Sequence, residues 1–290
     1  MADPDLGRVG VWEHLDTLSA ADARAYARRV DELGFGALWV PETVGREPFA
    51  LLGMLAGEVG HACLGTSIVS IWGHDAQATR MGAATLAEAT GGRFVLGLGV
   101  SHPHLAAKLR GHDFDRPLTR MREYLAAYRA AVYRGPGPDD APILVAALRE
   151  RMLDLSATDA DGAFPYLVTP DRVAWMRRRL DDAVPGHRPR LAVTLPVWIG
   201  AERDAARAYL KPYLRTPTYH ASWELQGFDA TDWEAPGSDR LVDAMISIGS
   251  PDAARSRIGE LHDAGADHVA VIPIAPDGST EHLPTLEAVA

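Results

Sequence analysis

The chain has almost no cysteine, almost no lysine and no long apolar run. Its single cysteine, Cys63, excludes an intramolecular disulfide framework and any cysteine-rich zinc site. Only Lys108 and Lys211 are lysines, against 27 arginines, so covalent catalysis through a lysine amine has two candidates, and neither sits in an apolar strand. No stretch is apolar for long enough to span a membrane. The opening MADPDLGRVG lacks the basic-then-apolar order of a secretion signal, so a cytoplasmic protein is expected. The net charge of −10, from 29 basic and 39 acidic residues, argues against a nucleic-acid binder, which presents a basic face. What remains over 290 residues is an ordinary globular composition, 47% hydrophobic and 23% charged, with enough chain to bury a large core.

Short apolar strands alternate with amphipathic helices. Eight segments read as strands: 9–12, 37–40, 64–70, 94–99, 143–146, 164–168, 191–199 and 268–272. Ser19 caps the first helix, whose Ala23, Tyr26, Ala27, Val30 and Leu33 repeat at helical spacing up to Gly34. Further helices begin near Pro48, Asp75, Thr119, Pro170, Glu202 and Pro251. Residues 216–240 read as irregular, and no Pro/Ser-rich linker divides the chain. One domain over 1–290 is expected, with 216–240 as a loop or lid insertion. Strands separated by helices predict a parallel sheet covered by helices. At this length a (β/α)8 TIM barrel fits best, with an open doubly wound sheet second.

In a barrel, function sits at the C-terminal strand ends. That rule selects Glu13 and His14, Glu42 and Thr43, Ser70 to His74, Gly99 to His104, and Ala146 to Arg149. Gly97-Leu98-Gly99-Val100-Ser101-His102 puts two glycines at a strand exit, where backbone approaches a flat ring or a phosphate, or simply turns tightly. The third glycine of a dinucleotide fingerprint is missing, and neither a P-loop nor a GxSxG elbow occurs. His102-Pro103-His104 with His112-Asp113 has the residue types of a metal cluster, but its loop setting favours solvated histidines, and no metal is expected. Glu13 and Glu42 suit a general base or a hydrogen-bond partner for a polar ring edge, or else local salt bridges. Trp72, beside Gly73 and His74, is the tryptophan best placed to wall a pocket. Trp223, Phe228 and Trp233 suggest a lid, a partner surface or anchors within a loop.

The segment Ala27–Glu42, with its Glu32-Leu33-Gly34-Phe35-Gly36-Ala37-Leu38-Trp39 core, resembles the opening βαβ unit of the bacterial luciferase-like superfamily. So do Leu64-Gly65-Thr66-Ser67-Ile68-Val69, Gly91-Gly92-Arg93-Phe94-Val95-Leu96-Gly97-Leu98-Gly99-Val100, and the closing Gly249-Ser250-Pro251-Asp252 and Gly265-Ala266-Asp267-His268. The likeness runs from Gly7 to Pro276 and is strongest to the coenzyme F420-dependent branch. It implies an oxidoreductase that moves a hydride between the deazaflavin and a small organic substrate, working as a homodimer with no membrane or nucleic-acid partner. The resemblance implies a non-proline cis peptide in strand three, here Ser67–Ile68. It implies cofactor contacts at Glu42, Ser67, Ile68, Val69, Gly99, Val100, Ser101, Ala146, Ala147 and Arg149. Trp72 and His74 would border the substrate, and His102 or Glu13 would carry the proton. Leu148-Arg149 replaces glycines found in relatives. Thr43 and His102 stand where sugar-phosphate-oxidising relatives have histidine and glutamate, so that substrate chemistry does not carry over. The alternatives are an FMN-dependent monooxygenase or reductase, and a cofactor-free binding barrel; a metal-dependent hydrolase ranks last.

Overall fold

The computed structural model describes residues 4–103, 105–137 and 140–290. Its elements run β1 (Val9–Trp12), α1 (Ala20–Glu32), β2 (Ala37–Val40), α2 (Pro48–Leu55), β3 (Cys63–Thr66), β4 (Val69–Ser70), α3 (Ala76–Ala89) and β5 (Phe94–Gly99). After a π-helical turn (Leu105–Leu109) come α4 (Pro117–Ala130), β6 (Ile143–Val145), α5 (Glu150–Thr158), β7 (Gly162–Ala163), α6 (Pro170–Ala183) and β8 (Arg190–Ile199). The chain ends with α7 (Asp204–Leu210), a 3-10 turn (Tyr213–Arg215), α8 (Pro217–Glu224), α9 (Ala230–Trp233), α10 (Asp239–Met245), β9 (Ser247–Gly249), α11 (Pro251–Asp263), β10 (His268–Pro273) and α12 (Leu283–Val289).

The strands pair in parallel in the ring β1–β2–β3–β5–β6–β7–β8–β10–β1, and β4 continues β3 beside β5. Counting β3 and β4 as one interrupted strand gives eight staves and a closed (β/α)8 barrel, as expected from the strand count. Helix starts follow local chemistry. Ser19, Asp75, Thr169 and Ser250 cap α1, α3, α6 and α11 with side-chain oxygens, and prolines open α6 and α11.

Alternation along the strands divides the core into two layers. Val11, Leu38, Val40, Leu64, Leu96, Val145, Val193 and Val271 face the helices. Trp12, Ala37, Trp39, Val95, Leu144, Ala192, Ala270 and Ile272 face the barrel interior. Two bulky interior groups need missing side chains opposite them. A Cβ on Gly65 would lie 2.3 Å from the Trp39 ring, and one on Gly10 would lie 2.7 Å from the His268 ring. His268 is enclosed, with Nδ1 2.9 Å from the Gly7 carbonyl and Nε2 3.0 Å from Trp39 Nε1. Since the indole N–H can only donate, Nε2 accepts, and Nδ1 carries the proton to Gly7.

Two expectations need correction, and one further strand was not foreseen. The sixth strand is not 164–168 but Gly162–Ala163. Pro165 has no N–H to pair, and Leu167 takes a left-handed φ of 55°, so the segment leaves the sheet. Residues 216–240 are largely helical: Pro217 opens α8, and an Asp229/Asp232 capping box holds α9. Ser247–Gly249, outside the eight expected strands, is a strand pairing with Val197–Ile199 at the end of β8. The third strand is split in two at Ser67–Ile68, whose peptide is cis. Among the described residues no helix is long and apolar enough to cross a membrane.

Enclosure pushes His268 down to about 4 from its ordinary 6.5, since desolvation disfavours the cation. The folded state therefore resists protonation that the unfolded chain accepts. This contribution is complete above pH 6.5 and is lost as the pH falls toward 4. At about 1.4 kcal/mol per pH unit, the stability gap between wild type and His268→Gln should shrink by about 2 kcal/mol from pH 7.5 to pH 5. Urea unfolding of both proteins at the two pH values tests this, and a gap independent of pH refutes it.

Candidate active site

At the C-terminal rim, Trp12 Nε1 donates to the Ser67 carbonyl oxygen at 2.8 Å, tying β1 to the break between β3 and β4. Ile68 then lies against the exit of β5. A Cβ on Gly99 would fall 2.6 Å from Ile68 Cδ1 and 3.3 Å from Ala146 Cβ, so these three residues meet at one point. Val69 is buried on the helix side, as is Ala147, while Ser67, Ile68, Val100, Ser101 and Ala146 are half-buried. Ser101 adopts a left-handed φ of 56° as the chain leaves β5. Trp72 Nε1 donates to the Val100 carbonyl at 2.8 Å, and its ring lies 5.8 Å from His112 and 6.0 Å from Phe114.

One side of the rim is ionic. The Ser70 amide donates to Glu42 Oε2 at 2.7 Å, Arg110 pairs with Oε1, and His74 Nε2 lies 3.6 Å from the same oxygen. Burial by itself would raise the Glu42 carboxyl. Contact with His74, the Ser70 amide and the Arg110 charge outweigh it and hold Glu42 below its ordinary value. The Glu42 contact in turn raises His74. Gly73 is packed so closely on this pair that a Cβ there would lie 2.5 Å from Glu42 Oε1.

The other side is aromatic. Tyr166, from the segment after β7, stands 6.0 Å from Trp12 and 5.8 Å from Tyr219 of α8. Tyr219 in turn lies 5.5 Å from His102. Tyr209 and Tyr213 complete the group, the latter 5.3 Å from Tyr166. Sequence reasoning missed these four tyrosines, and the only local signal is the four-residue spacing of Tyr209 and Tyr213. It selected Trp223, Phe228 and Trp233, which serve as anchors: Trp223 and Phe228 are buried, and Trp233 stacks on His220 at 4.7 Å.

Glu13 stands at the end of β1, yet its carboxyl is fully enclosed. It follows Val11 on the odd, helix-facing side of the strand. Its Oε1 accepts from the His14 amide at 2.9 Å, and Oε2 from the Glu281 amide at 2.6 Å. His14, on the even side, lies 5.4 Å from Trp12 and so nearer the mouth. Ligand-type atoms of Glu13, His14 and Glu281 fall within 4.8 Å of one another, although both Glu13 oxygens already hold backbone N–H groups. His102 and His112 face different aromatic partners, Tyr219 and Trp72, and His104 lies outside the described residues. Arg149 is exposed at the start of α5 and forms no ion pair among the described residues. It caps the helix without a side-chain bond, leaving the first α5 amides open.

The model of the luciferase-like monooxygenase family matches residues 5–268, and the chain belongs to that family. A Mycobacterium tuberculosis protein named provisionally as a coenzyme F420-dependent oxidoreductase is 26% identical over 279 residues, covering 83% of this chain and 80% of its own. The coenzyme F420-dependent tetrahydromethanopterin reductase of Methanopyrus kandleri superposes with a TM-score of 0.79 at 18% identity, over 97% of this chain and 96% of that one. The FMN-bound oxygenating component of a 3,6-diketocamphane monooxygenase from Pseudomonas putida reaches a TM-score of 0.71 at 16% identity, over 97% and 96%. The fold is thus common to deazaflavin and flavin enzymes.

Desolvation pushes Glu13 up to about 8 from 4.5, against the hydrogen bonds that favour its ionised form. A raised carboxyl stabilises the fold fully below pH 4.5, and that contribution drains as the pH rises toward 8. Glu13→Gln should therefore gain about 3 kcal/mol relative to wild type between pH 5 and pH 8. Denaturant unfolding at both values checks this; a constant difference would show that the carboxyl does not hold its proton.

Proposed function

We propose that this chain is an F420-dependent oxidoreductase acting on a small organic substrate. The observation that carries the reading is the meeting of Ile68, Gly99 and Ala146 at the rim, with an exposed arginine three residues after Ala146 at an open helix N-terminus. Small residues at a strand exit leave room for a flat ring, while Arg149 and the uncapped amides of α5 suit an anionic tail. A planar, anionic group fits that donor set. The deazaflavin, when bound, supplies the hydride chemistry.

The chain's own work is positional. Ile68 and Ala146 form the wall against which a ring can rest, and Gly99 keeps that wall open. Glu42, held ionised by Arg110 and His74, offers an acceptor at the ionic side. Trp12 and Trp72 fix the surrounding carbonyls and help exclude water. His102, half-buried at the β5 exit, gives or takes the proton at its imidazole nitrogen. Glu13, enclosed and bonded to two amides, is left the role of clamping the loop after β10.

FMN is the second reading, supported by the FMN-bound family fold and by the same ring and anion features. Fluorescence titrations with F420 and with FMN decide between them. F420 should bind at least tenfold more tightly than FMN. Gly99→Val should weaken F420 binding at least tenfold by forcing Ile68 into the open space, while His102→Ala should leave it within twofold. FMN preference would move the chain to flavin chemistry, and binding of neither would make it a cofactor-free barrel.

A further inference from the structure

Two carboxylates stand at neighbouring strand ends, and only one of them has a cation. Glu42 holds Arg110 and His74. Glu13 is fully enclosed at the end of β1, and the loop after β10 brings Glu281 beside it. Among the described residues, no arginine or lysine pairs with either Glu13 or Glu281, in a chain that carries 27 arginines. A buried carboxylate is costly until a proton or a metal ion offsets its charge.

The donor atoms are already gathered. Ligand-type atoms of Glu13, His14 and Glu281 lie within 4.8 Å of one another. A tetrahedral ion with bonds of about 2.1 Å holds neighbouring ligand atoms about 3.4 Å apart. His14 Nδ1 is 3.5 Å from Glu13 Oε1. The Glu13 carboxyl has four lone-pair sites; the amides of His14 and Glu281 and the Thr280 hydroxyl take three, which leaves one for an ion. Thr280 Oγ1 is also 3.4 Å from His14 Nδ1, but its one proton cannot serve both, and that distance is too long to hold the nitrogen firmly. Glu281 accepts from the hydroxyl and amide of Thr17.

A fourth group points to the same place. Tyr26 of α1 is 3% exposed, and among the described residues its hydroxyl has no hydrogen-bond partner. Burial, and then the charges of Glu13 and Glu281, raise this phenol, so it lies in the field of both carboxylates and stays a neutral donor. A buried O–H with nothing to donate to is destabilising. Water in the shell of an ion would accept it.

We propose that Glu13, His14 and Glu281 hold a divalent transition-metal ion, zinc in preference to others, and that the ion fastens the loop after β10 to the end of β1. His14 Nδ1, one Glu13 oxygen and one Glu281 oxygen are the protein ligands, and a water that accepts from Tyr26 completes the tetrahedron. A nitrogen with two carboxylates suits zinc better than magnesium or calcium, which take oxygen sets. The His14 side chain is 34% exposed, so the ion can enter from solvent. Since β1 and β10 are the first and last strands and pair with each other, the ion closes the seam of the barrel. Its part is structural, and it stands or falls apart from the F420 reading.

Calorimetric titration of the chelator-stripped, full-length protein with zinc chloride, without cofactor, tests the site, with thermal unfolding run in parallel. Zinc should bind at one ion per chain, more tightly than manganese and about a hundredfold more tightly than magnesium. At free zinc about a hundredfold above its dissociation constant, the unfolding midpoint should rise by about 5 °C. His14→Gln and Glu281→Gln, both at partly exposed side chains, should each weaken zinc binding about tenfold or more and remove the stabilisation. Tyr26→Phe should weaken it about fivefold for want of one hydrogen bond. His61→Gln, at a surface histidine paired with Asp31, should leave the affinity within twofold. Absence of saturable zinc binding overturns the proposal. So does an affinity that survives in His14→Gln but not in His61→Gln, which would place an adventitious ion on the surface. Binding that leaves the unfolding midpoint unchanged overturns it as well, because such an ion fastens nothing.

Discussion

The rim is organised by the period-two alternation of a closed parallel barrel. Once β10 pairs with both β8 and β1, every strand must send alternate side chains inward, and no residue can change sides without a break in the ladder. The inward series fills the barrel with Trp39 and His268, made possible by Gly65 and Gly10. The outward series joins the strands to the helices. Only above the last paired residue is the chain free to place chemistry, and the one break in the ladder, between β3 and β4, puts Ile68 beside Gly99 and Ala146.

The rim divides its tasks by polarity. Charge is concentrated where β2, β4 and the segment after β5 meet, in the contacts of Glu42 with Arg110 and His74. Neutral donors are concentrated where α7 and α8 fold over β7. The rim thus carries a charged side and an aromatic, phenol-lined side.

Much of this was legible in the sequence because it is local. Strand ends, caps and small residues at 99 and 146 follow from composition over a few positions, and the likeness of the Ser67–Ile68 segment to luciferase-like strands marked the break. What escaped was either short or distant. A two-residue strand at Gly162–Ala163 has no period to detect, and the apolar 164–168 drew attention past it. Tyr166 meets Tyr209 across 43 residues, a contact that no window of sequence contains. The direction of Glu13 was within reach: two positions after outward-facing Val11, parity turns it toward the helices and away from the mouth.

The order of strands around the ring has a consequence during synthesis. β8 and β1 are joined only by β10, so until translation has passed Pro273 the growing sheet has two unpaired parallel edges, rich in valine and leucine. Such edges are templates for pairing with other chains. A nascent chain lacking its last strand would resemble an open, sticky ribbon, and truncation before His268 would turn a closed fold into a nucleus for aggregation.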